Sequence, residues 1–203
     1  MSTSITDLVD LNQQSLLIAA ASIAFNPLFW NIVAQYHNKL LTNIFGGNSR
    51  LACYFLAIVI FSLGIFRDHL FKEALADQPK HPALESDNVK LAAYALFGVG
   101  NVLVVTSMWA LGVTGTYLGD YFGILMDEMV TGFPFNVTDA PMYYGSTLSF
   151  LGATLYYGKP AGFFLTAWIF IVYKIALSYE NPFTAGIYAR KEAAEKKSGK
   201  KAQ

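Results

Sequence analysis

The chain has 203 residues, of which 54% are hydrophobic and only 14% are charged, and its formal net charge is zero. Soluble domains carry roughly 25% charged residues, so we expect an integral membrane protein that has no nucleic-acid partner. The single cysteine, Cys53, excludes a disulfide framework and a thiolate metal site built within one chain, and we expect no metal.

Two apolar segments near the N-terminus predict membrane helices. Residues 11–38 carry no formal charge apart from that of His37 and are long enough to span a bilayer. Asn26-Pro27 interrupts them, so a kinked span and a re-entrant element are both open. Residues 51–66 are uncharged and short for a span, and we interpret them as a second helix whose flanking arginines reach the interface.

A polar connector and a third helix are predicted next. Residues 67–90 alternate in charge and contain two prolines, which is typical of an exposed loop. Residues 91–111 are uncharged and give the clearest membrane helix of the chain. Its Gly98-Val99-Gly100 sequence by itself favours close helix packing.

Residues 115–145 contain acidic side chains that the apolar segments around them lack. We expect this central stretch, which is rich in Gly, Tyr and Phe, to lie at a membrane surface. The stretch carries acidic side chains that could take a proton from a substrate. The candidate catalytic residues are Asp120, Asp127, Glu128, Asp139 and Tyr143.

The last apolar segment, residues 146–179, is compatible with two topologies. It forms either one long helix or two helices joined at Gly158-Lys159-Pro160. The positive-inside bias places the six basic residues after Ala189 in the cytosol. Applied to residues 67–90, the same bias places that connector in the cytosol as well. It therefore favours one long helix over residues 146–179 and a lumenal central stretch. Residues 1–188 then form one membrane domain, with three to five embedded helices, and residues 189–203 form a basic cytosolic tail.

Several consecutive motifs in the second half resemble those of one enzyme family. They are LGDYFGI, FPFNV, PMYYGS and, near the end, IALSYENPFTAGIY. Together they are similar to the phospholipid N-methyltransferases of the endoplasmic reticulum, and most of all to fungal members acting on phosphatidyl-N-methylethanolamine. Relatives that methylate isoprenylated cysteine share the Pro-x-Tyr-x-Gly pattern, here Pro141 to Gly145.

The resemblance implies S-adenosylmethionine as methyl donor. It assigns donor binding to the Gly-x-Gly motif and to a pair of glutamates after the last helix. The corresponding residues here are Gly98, Val99, Gly100, Glu180 and Asn181. Because Asn181 replaces the second glutamate, the expected site keeps one of its two carboxylates.

The implied function is methylation of phosphatidyl-N-methylethanolamine and its dimethyl analogue to phosphatidylcholine, with a bilayer phospholipid as substrate. The alternatives are an isoprenylcysteine-type methyltransferase and a non-catalytic lipid-binding protein of the same fold. Lys200 and Lys201 resemble a di-lysine retrieval signal, so we expect a multi-pass protein of the endoplasmic reticulum membrane with a cytosolic C-terminus. A mitochondrial membrane is the alternative location.

Overall fold

Five long helices and two short 3₁₀ helices make up the regular structure between Gln14 and Lys201. The structure is a computed structural model that describes residues 8–201, without the side chains of 34–39 and 198–201. The long helices are α1 (Gln14–Ile44), α2 (Ser49–Ala76), α3 (Asp87–Thr116), α4 (Pro141–Tyr157) and α5 (Ala161–Lys201). The 3₁₀ helices are Pro82–Leu84 and Gly119–Phe122. The predicted all-α bundle is confirmed.

Helix α1 continues through Pro27, so the re-entrant alternative for residues 11–38 is wrong. A proline inside a helix removes one backbone donor. Nearby side chains bind the backbone at this point, since the amide of Asn31 donates to the Pro27 carbonyl at 2.9 Å and that of Asn26 donates to the Ile60 carbonyl at 3.3 Å. The second of these bonds also ties α1 to α2.

Helix α2 extends ten residues beyond the predicted segment, and the prediction of a loop over residues 67–90 is wrong for 67–76 and for 87–90, where α3 begins. The charged side chains of this part, such as Asp68 and Lys72, are exposed, whereas Phe71 and Leu75 are buried. This spacing is that of an amphipathic helix. The alternating charges therefore mark one face of a helix.

Helices α3 and α4 approach closely because glycines face each other between them. A Cβ at Gly100 would lie 2.8 Å from the Ser149 nitrogen, and one at Gly145 would lie 2.6 Å from the Gly100 carbonyl oxygen. A Cβ at Gly98, in contrast, would meet no atom within 4 Å. Gly100 thus serves helix packing, while Gly98 lies on the open side of α3.

We expect Gly100→Ala to destabilise the protein by about 1–3 kcal/mol, because the added methyl group forces α3 and α4 apart. Gly98→Ala is expected to be neutral or stabilising by up to about 1 kcal/mol, since alanine favours helix and no atom obstructs it. Thermal unfolding of both variants in detergent micelles checks this. Equal melting temperatures for the two variants would contradict the packing described here.

Residues 146–179 form two antiparallel helices, so the single long helix that the charge count favoured is wrong. Helix α4 ends at Tyr157 and is capped by Gly158, whose φ of 66° is readily adopted only by glycine, and Pro160 precedes α5. Lys159 donates to the carbonyl of Ala76 at 3.1 Å and also to that of Gln78. The turn is thereby attached to the C-terminal end of α2.

The hairpin gives the bundle two ends. The Gln78 end contains Gln78, the α4–α5 turn and the start of α3. The Glu180 end contains residues 45–49 and the central stretch, and there Phe122 and Phe183 belong to one apolar cluster. The central stretch therefore lies at the end opposite to residues 77–86, and on the same side as the basic tail.

Four of the described helices are long and apolar enough to cross a membrane: α1, α2, α3 and α5. Helix α4 has 17 residues, about 26 Å at 1.5 Å per residue. It leads from the Glu180 end to the Gln78 end, beside α3 and α5. All five helices consequently run between the two ends of the bundle.

Candidate functional site

The central stretch folds over the Glu180 end and is fixed there by its own backbone and by α5. Within it the 3₁₀ helix Gly119–Phe122 buries Tyr121 and Phe122. The Tyr188 hydroxyl accepts a hydrogen bond from the Met126 nitrogen at 3.2 Å. Lys191 donates to the Met126 carbonyl at 2.9 Å and to that of Asp127 at 2.8 Å. The start of the basic tail thus holds the central stretch against the Glu180 end of the bundle.

Glu180 and Tyr143 form the centre of the site. The Tyr143 hydroxyl donates to Oε2 of Glu180 at 2.5 Å. Helix α4 supplies Tyr143 and α5 supplies Glu180, so the α4–α5 hairpin brings together two motifs that lie 37 residues apart in the sequence. The Tyr143 ring also packs edge-on against Tyr173, with centroids 4.8 Å apart.

Asp120 supplies a second carboxylate beside Glu180. Its Oδ2 accepts a hydrogen bond from Thr184 Oγ1 at 2.5 Å, and its Oδ1 accepts one from the Tyr121 nitrogen at 3.1 Å. Thr184 lies four residues after Glu180 on α5, and residues at this spacing share one face of a helix. Asp120 is therefore held one helical turn from Glu180.

Aromatic rings and an amide complete the cluster. The Tyr121 ring stacks on Phe183, with centroids 4.3 Å apart and an interplanar angle of 17°. The Tyr121 hydroxyl donates to the side-chain oxygen of Asn31 at 3.1 Å. Because Asn31 belongs to α1, three helices and the central stretch contribute to the site.

Two carboxylates surrounded by aromatic rings form an environment suited to cations. Within the described side chains, no salt bridge involves Asp120 or Glu180. Charged hydrogen bonds are stronger than neutral ones, and aromatic faces attract organic cations. The cluster therefore fits a ligand that carries positive charge on sulfur or nitrogen.

The other candidate acidic residues lie elsewhere. Asp127, Glu128 and Asp139 are exposed on the central stretch. Asn181 is also exposed and is directed away from Glu180, since adjacent residues of a helix do not share a face. Among the four acidic candidates, the structure brings only Asp120 to Glu180.

The Gly-x-Gly motif and Tyr143 lie on different sides of α4. Gly145 faces α3 and contacts Gly100, whereas Tyr143 faces α5 and Glu180. Gly98 and Val99 are exposed. Helix α4 thus stands between the motif and the carboxylate cluster.

Sequence reasoning missed two polar residues of the cluster, Asn31 and Thr184. The spacing of Thr184 from Glu180 was a readable signal, since a hydroxyl four residues along a helix can hold a neighbouring group on the same face. Asn31 offered no such signal, because only tertiary packing brings α1 to the site.

Comparison with known proteins identifies relatives over nearly the whole chain. The family model described as "Phospholipid methyltransferase" matches residues 89–191. The "Phosphatidyl-N-methylethanolamine N-methyltransferase" of Neurospora crassa is 64% identical over 94% of this chain and 90% of its own length. The protein of that name from Saccharomyces cerevisiae is 56% identical over 93% of this chain and 92% of its own.

A mammalian relative matches over a similar span. The "Phosphatidylethanolamine N-methyltransferase" of Rattus norvegicus is 48% identical over 90% of this chain and 92% of its own length. No solved structure matches the chain significantly.

Proposed function

The chain belongs to the phospholipid methyltransferase family, and we propose that it methylates phosphatidyl-N-methylethanolamine and phosphatidyl-N,N-dimethylethanolamine to phosphatidylcholine, with S-adenosylmethionine as methyl donor. The names of its relatives support the lipid substrates. The observation that carries the proposal is the cluster of Glu180, Asp120 and Tyr143 at one end of a membrane bundle.

We assign donor binding to Glu180 and Tyr143. S-adenosylmethionine supplies, when bound, a methyl group on a positively charged sulfur. The Glu180 carboxylate compensates such a charge strongly in a site shielded from water. The Tyr143 hydroxyl orients that carboxylate, and Asp120 adds a second negative charge beside it until Asp120 takes up the proton of the lipid amine. The role expected for Gly98, Val99 and Gly100 in donor binding stays a prediction.

We assign proton removal to Asp120. The lipid amine attacks carbon through its lone pair, so its ammonium form must first lose a proton. The donor, when bound, would supply the methyl group, whose carbon–sulfur bond would break as the carbon–nitrogen bond forms. Asp120 is the acidic residue of the central stretch that lies beside Glu180, and its two hydrogen bonds keep Oδ1 and Oδ2 in fixed positions. Alignment of amine and methyl group supplies the remaining acceleration.

Radiolabelled methyl transfer by the purified protein in mixed micelles tests this function. We expect label in phosphatidylcholine from both methylated acceptors, and unmethylated phosphatidylethanolamine is assayed beside them. A farnesylated cysteine peptide serves as the competing acceptor. Label in the peptide alone would indicate the isoprenylcysteine activity, and label in no acceptor would indicate a non-catalytic lipid-binding protein.

We place the Glu180 end in the cytosol. The tail after Ala189 carries six basic residues, and Arg50 lies at the same end, against four lysines at the Gln78 end. The positive-inside bias thus favours a cytosolic tail, and the hairpin puts the central stretch beside it. Residence in the endoplasmic reticulum rests on the family resemblance and on the signal at Lys200 and Lys201, whose side chains lie outside the described part.

Glycosylation of inserted loops tests this orientation. We expect a sequon-bearing loop inserted between Thr131 and Gly132 to stay unmodified, because the central stretch faces the cytosol. The same loop inserted between Pro79 and Lys80 is expected to be modified, since the Gln78 end faces the lumen. The opposite pattern, measured as an endoglycosidase-sensitive mass shift, would contradict the proposed orientation.

A further inference from the structure

Arg67 is a mostly covered cation on a membrane helix. Its side chain is only 14% exposed, although it lies within α2, one of the helices able to cross a membrane. A charged residue inside a membrane bundle is costly, and in general such residues face a polar pathway or a substrate. The residues around Arg67 identify the kind of substrate group it suits.

Arg67 is oriented by three groups. Its Nε and Nη2 donate to Oδ1 of Asp68 at 3.0 and 2.8 Å, and its Nη1 donates to the Tyr173 hydroxyl at 2.7 Å. The guanidinium lies over the Phe150 ring, 4.9 Å from its centroid. Arginine has five N–H donors, and these contacts within the described residues use three of them. The planar group is thus held in one orientation with donor capacity remaining.

The surroundings of Arg67 are polar and open on one side. Ser146 Oγ lies 3.1 Å from the Tyr173 hydroxyl and adds a further polar group. The Asp68 side chain is 58% exposed, so the Arg67–Asp68 pair reaches the outside of the bundle from α2, which contacts α4 at Arg67. Here the two helices meet through side chains, since Phe71 and Arg67 both pack on Phe150.

A line of contacts connects Arg67 to the carboxylate cluster. Tyr173, which binds Arg67, packs edge-on against Tyr143, whose hydroxyl binds Glu180. Tyr173 precedes Glu180 by seven residues on α5, which is about 10 Å along the axis. From the Glu180 end inward, the order is therefore carboxylates, two tyrosines and a guanidinium.

This order matches that of a phospholipid whose head group enters from the Glu180 end. Its amine is outermost and reaches the carboxylates and the tyrosine rings, which attract methylated ammonium groups. Its phosphate follows at the depth of Arg67, and its acyl chains lie beyond the phosphate. The guanidinium fork is the protein group best suited to bind phosphate oxygens in pairs.

We propose that Arg67, with Ser146 and Tyr173, binds the phosphodiester of the substrate phospholipid and so sets the depth at which the amine meets the methyl donor. This inference rests on the proposed function and deepens it. Asp68 occupies one edge of the guanidinium and so fixes the direction in which its remaining N–H donors point. Arg67 is accordingly a determinant of substrate specificity.

A pair of acceptors that differ only in the charge of the phosphate tests the proposal. One is phosphatidyl-N-methylethanolamine, and the other is its neutral phosphotriester, with one phosphate oxygen methylated. For the wild type we expect a KM for the triester at least about 10-fold above that for the diester, as for a lost hydrogen bond to a charged group. The KM values are measured as mole fractions in mixed micelles.

Arg67→Gln is expected to raise the diester KM about 10-fold and to bring the ratio of the two KM values near one, without changing the KM for the methyl donor. Lys72→Gln, which removes an exposed cation from the same helix, is expected to keep the wild-type ratio. If Arg67→Gln does not fold, Arg67→Lys replaces it, and its ratio should fall between that of the wild type and one.

A wild-type ratio near one would overturn the proposal without any variant. An unchanged ratio in the Arg67 variant would also overturn it, since a residue with a purely structural role affects both acceptors alike. Wild-type protein that methylates neither acceptor would instead refute the proposed function.

Discussion

Replacing Glu180 with glutamine is expected to reduce methyl transfer at least about 30-fold, chiefly through a higher KM for S-adenosylmethionine. Truncating one partner of a buried, hydrogen-bonded charge pair costs about 2–5 kcal/mol, and glutamine keeps the size of the side chain while removing its charge. Donor saturation curves with the wild type and the variant measure the effect.

Glu192→Gln is the matched control for this variant. Glu192 lies on the same helix, but its side chain is 70% exposed in an i,i+4 pair with Lys196, and such pairs contribute little. We expect its donor KM to stay within about twofold of the wild type. A Glu180→Gln enzyme with an unchanged donor KM would show that the carboxylate does not compensate the donor charge.

Replacing Asp120 with asparagine is expected to lower kcat about 10²- to 10⁴-fold, the usual range for loss of a general base. The asparagine oxygen can still accept from the Tyr121 nitrogen, and its NH2 group can donate to the Thr184 hydroxyl, so the fold of the central stretch is kept. Because alkali removes the proton from the lipid amine without help, the activity of this variant should rise steeply with pH. Initial rates over a pH series provide the measurement.

Asp127→Asn and Asp139→Asn are the controls, since both side chains are exposed on the same stretch. We expect each to keep kcat within about twofold of the wild type, as for surface substitutions away from a site. An equal loss in either control, or an Asp120→Asn variant with no added dependence on pH, would argue against Asp120 as the proton acceptor.

Membrane helices were predictable because the signal is local. Residues 91–111 are apolar without interruption, and α3 forms there. The end of α2 was missed because the charges of residues 67–76 alternate in sign along the sequence. Such an alternation is typical of a loop, but it also occurs on the exposed face of a helix. Hydropathy could not decide the hairpin, since residues 146–157 and 161–179 are apolar in either topology. The turn depends on Gly158 and on the contacts of Lys159 with the end of α2.

The site was predictable in its motifs and not in its geometry. The family resemblance implied Glu180 and placed Tyr143 in the Pro-x-Tyr-x-Gly element, and the structure joins them. Asp120 was one of four equivalent acidic residues, because sequence spacing carries no information on which of them folds back to α5. The hairpin brings all four to the same end as Glu180, and the hydrogen bond from Thr184 on α5 distinguishes Asp120 from the other three.

Photo-crosslinking of S-adenosylmethionine tests most directly where the donor binds. Irradiation of the purified protein with radiolabelled donor, followed by proteolysis and mass spectrometry, identifies the residues that contact it. We predict label within residues 117–145 or 176–188, around Tyr143 and Glu180, and loss of that label in Glu180→Gln. Label confined to residues 91–111, with none near Tyr143 or Glu180, would contradict the assignment of donor binding to the carboxylate cluster.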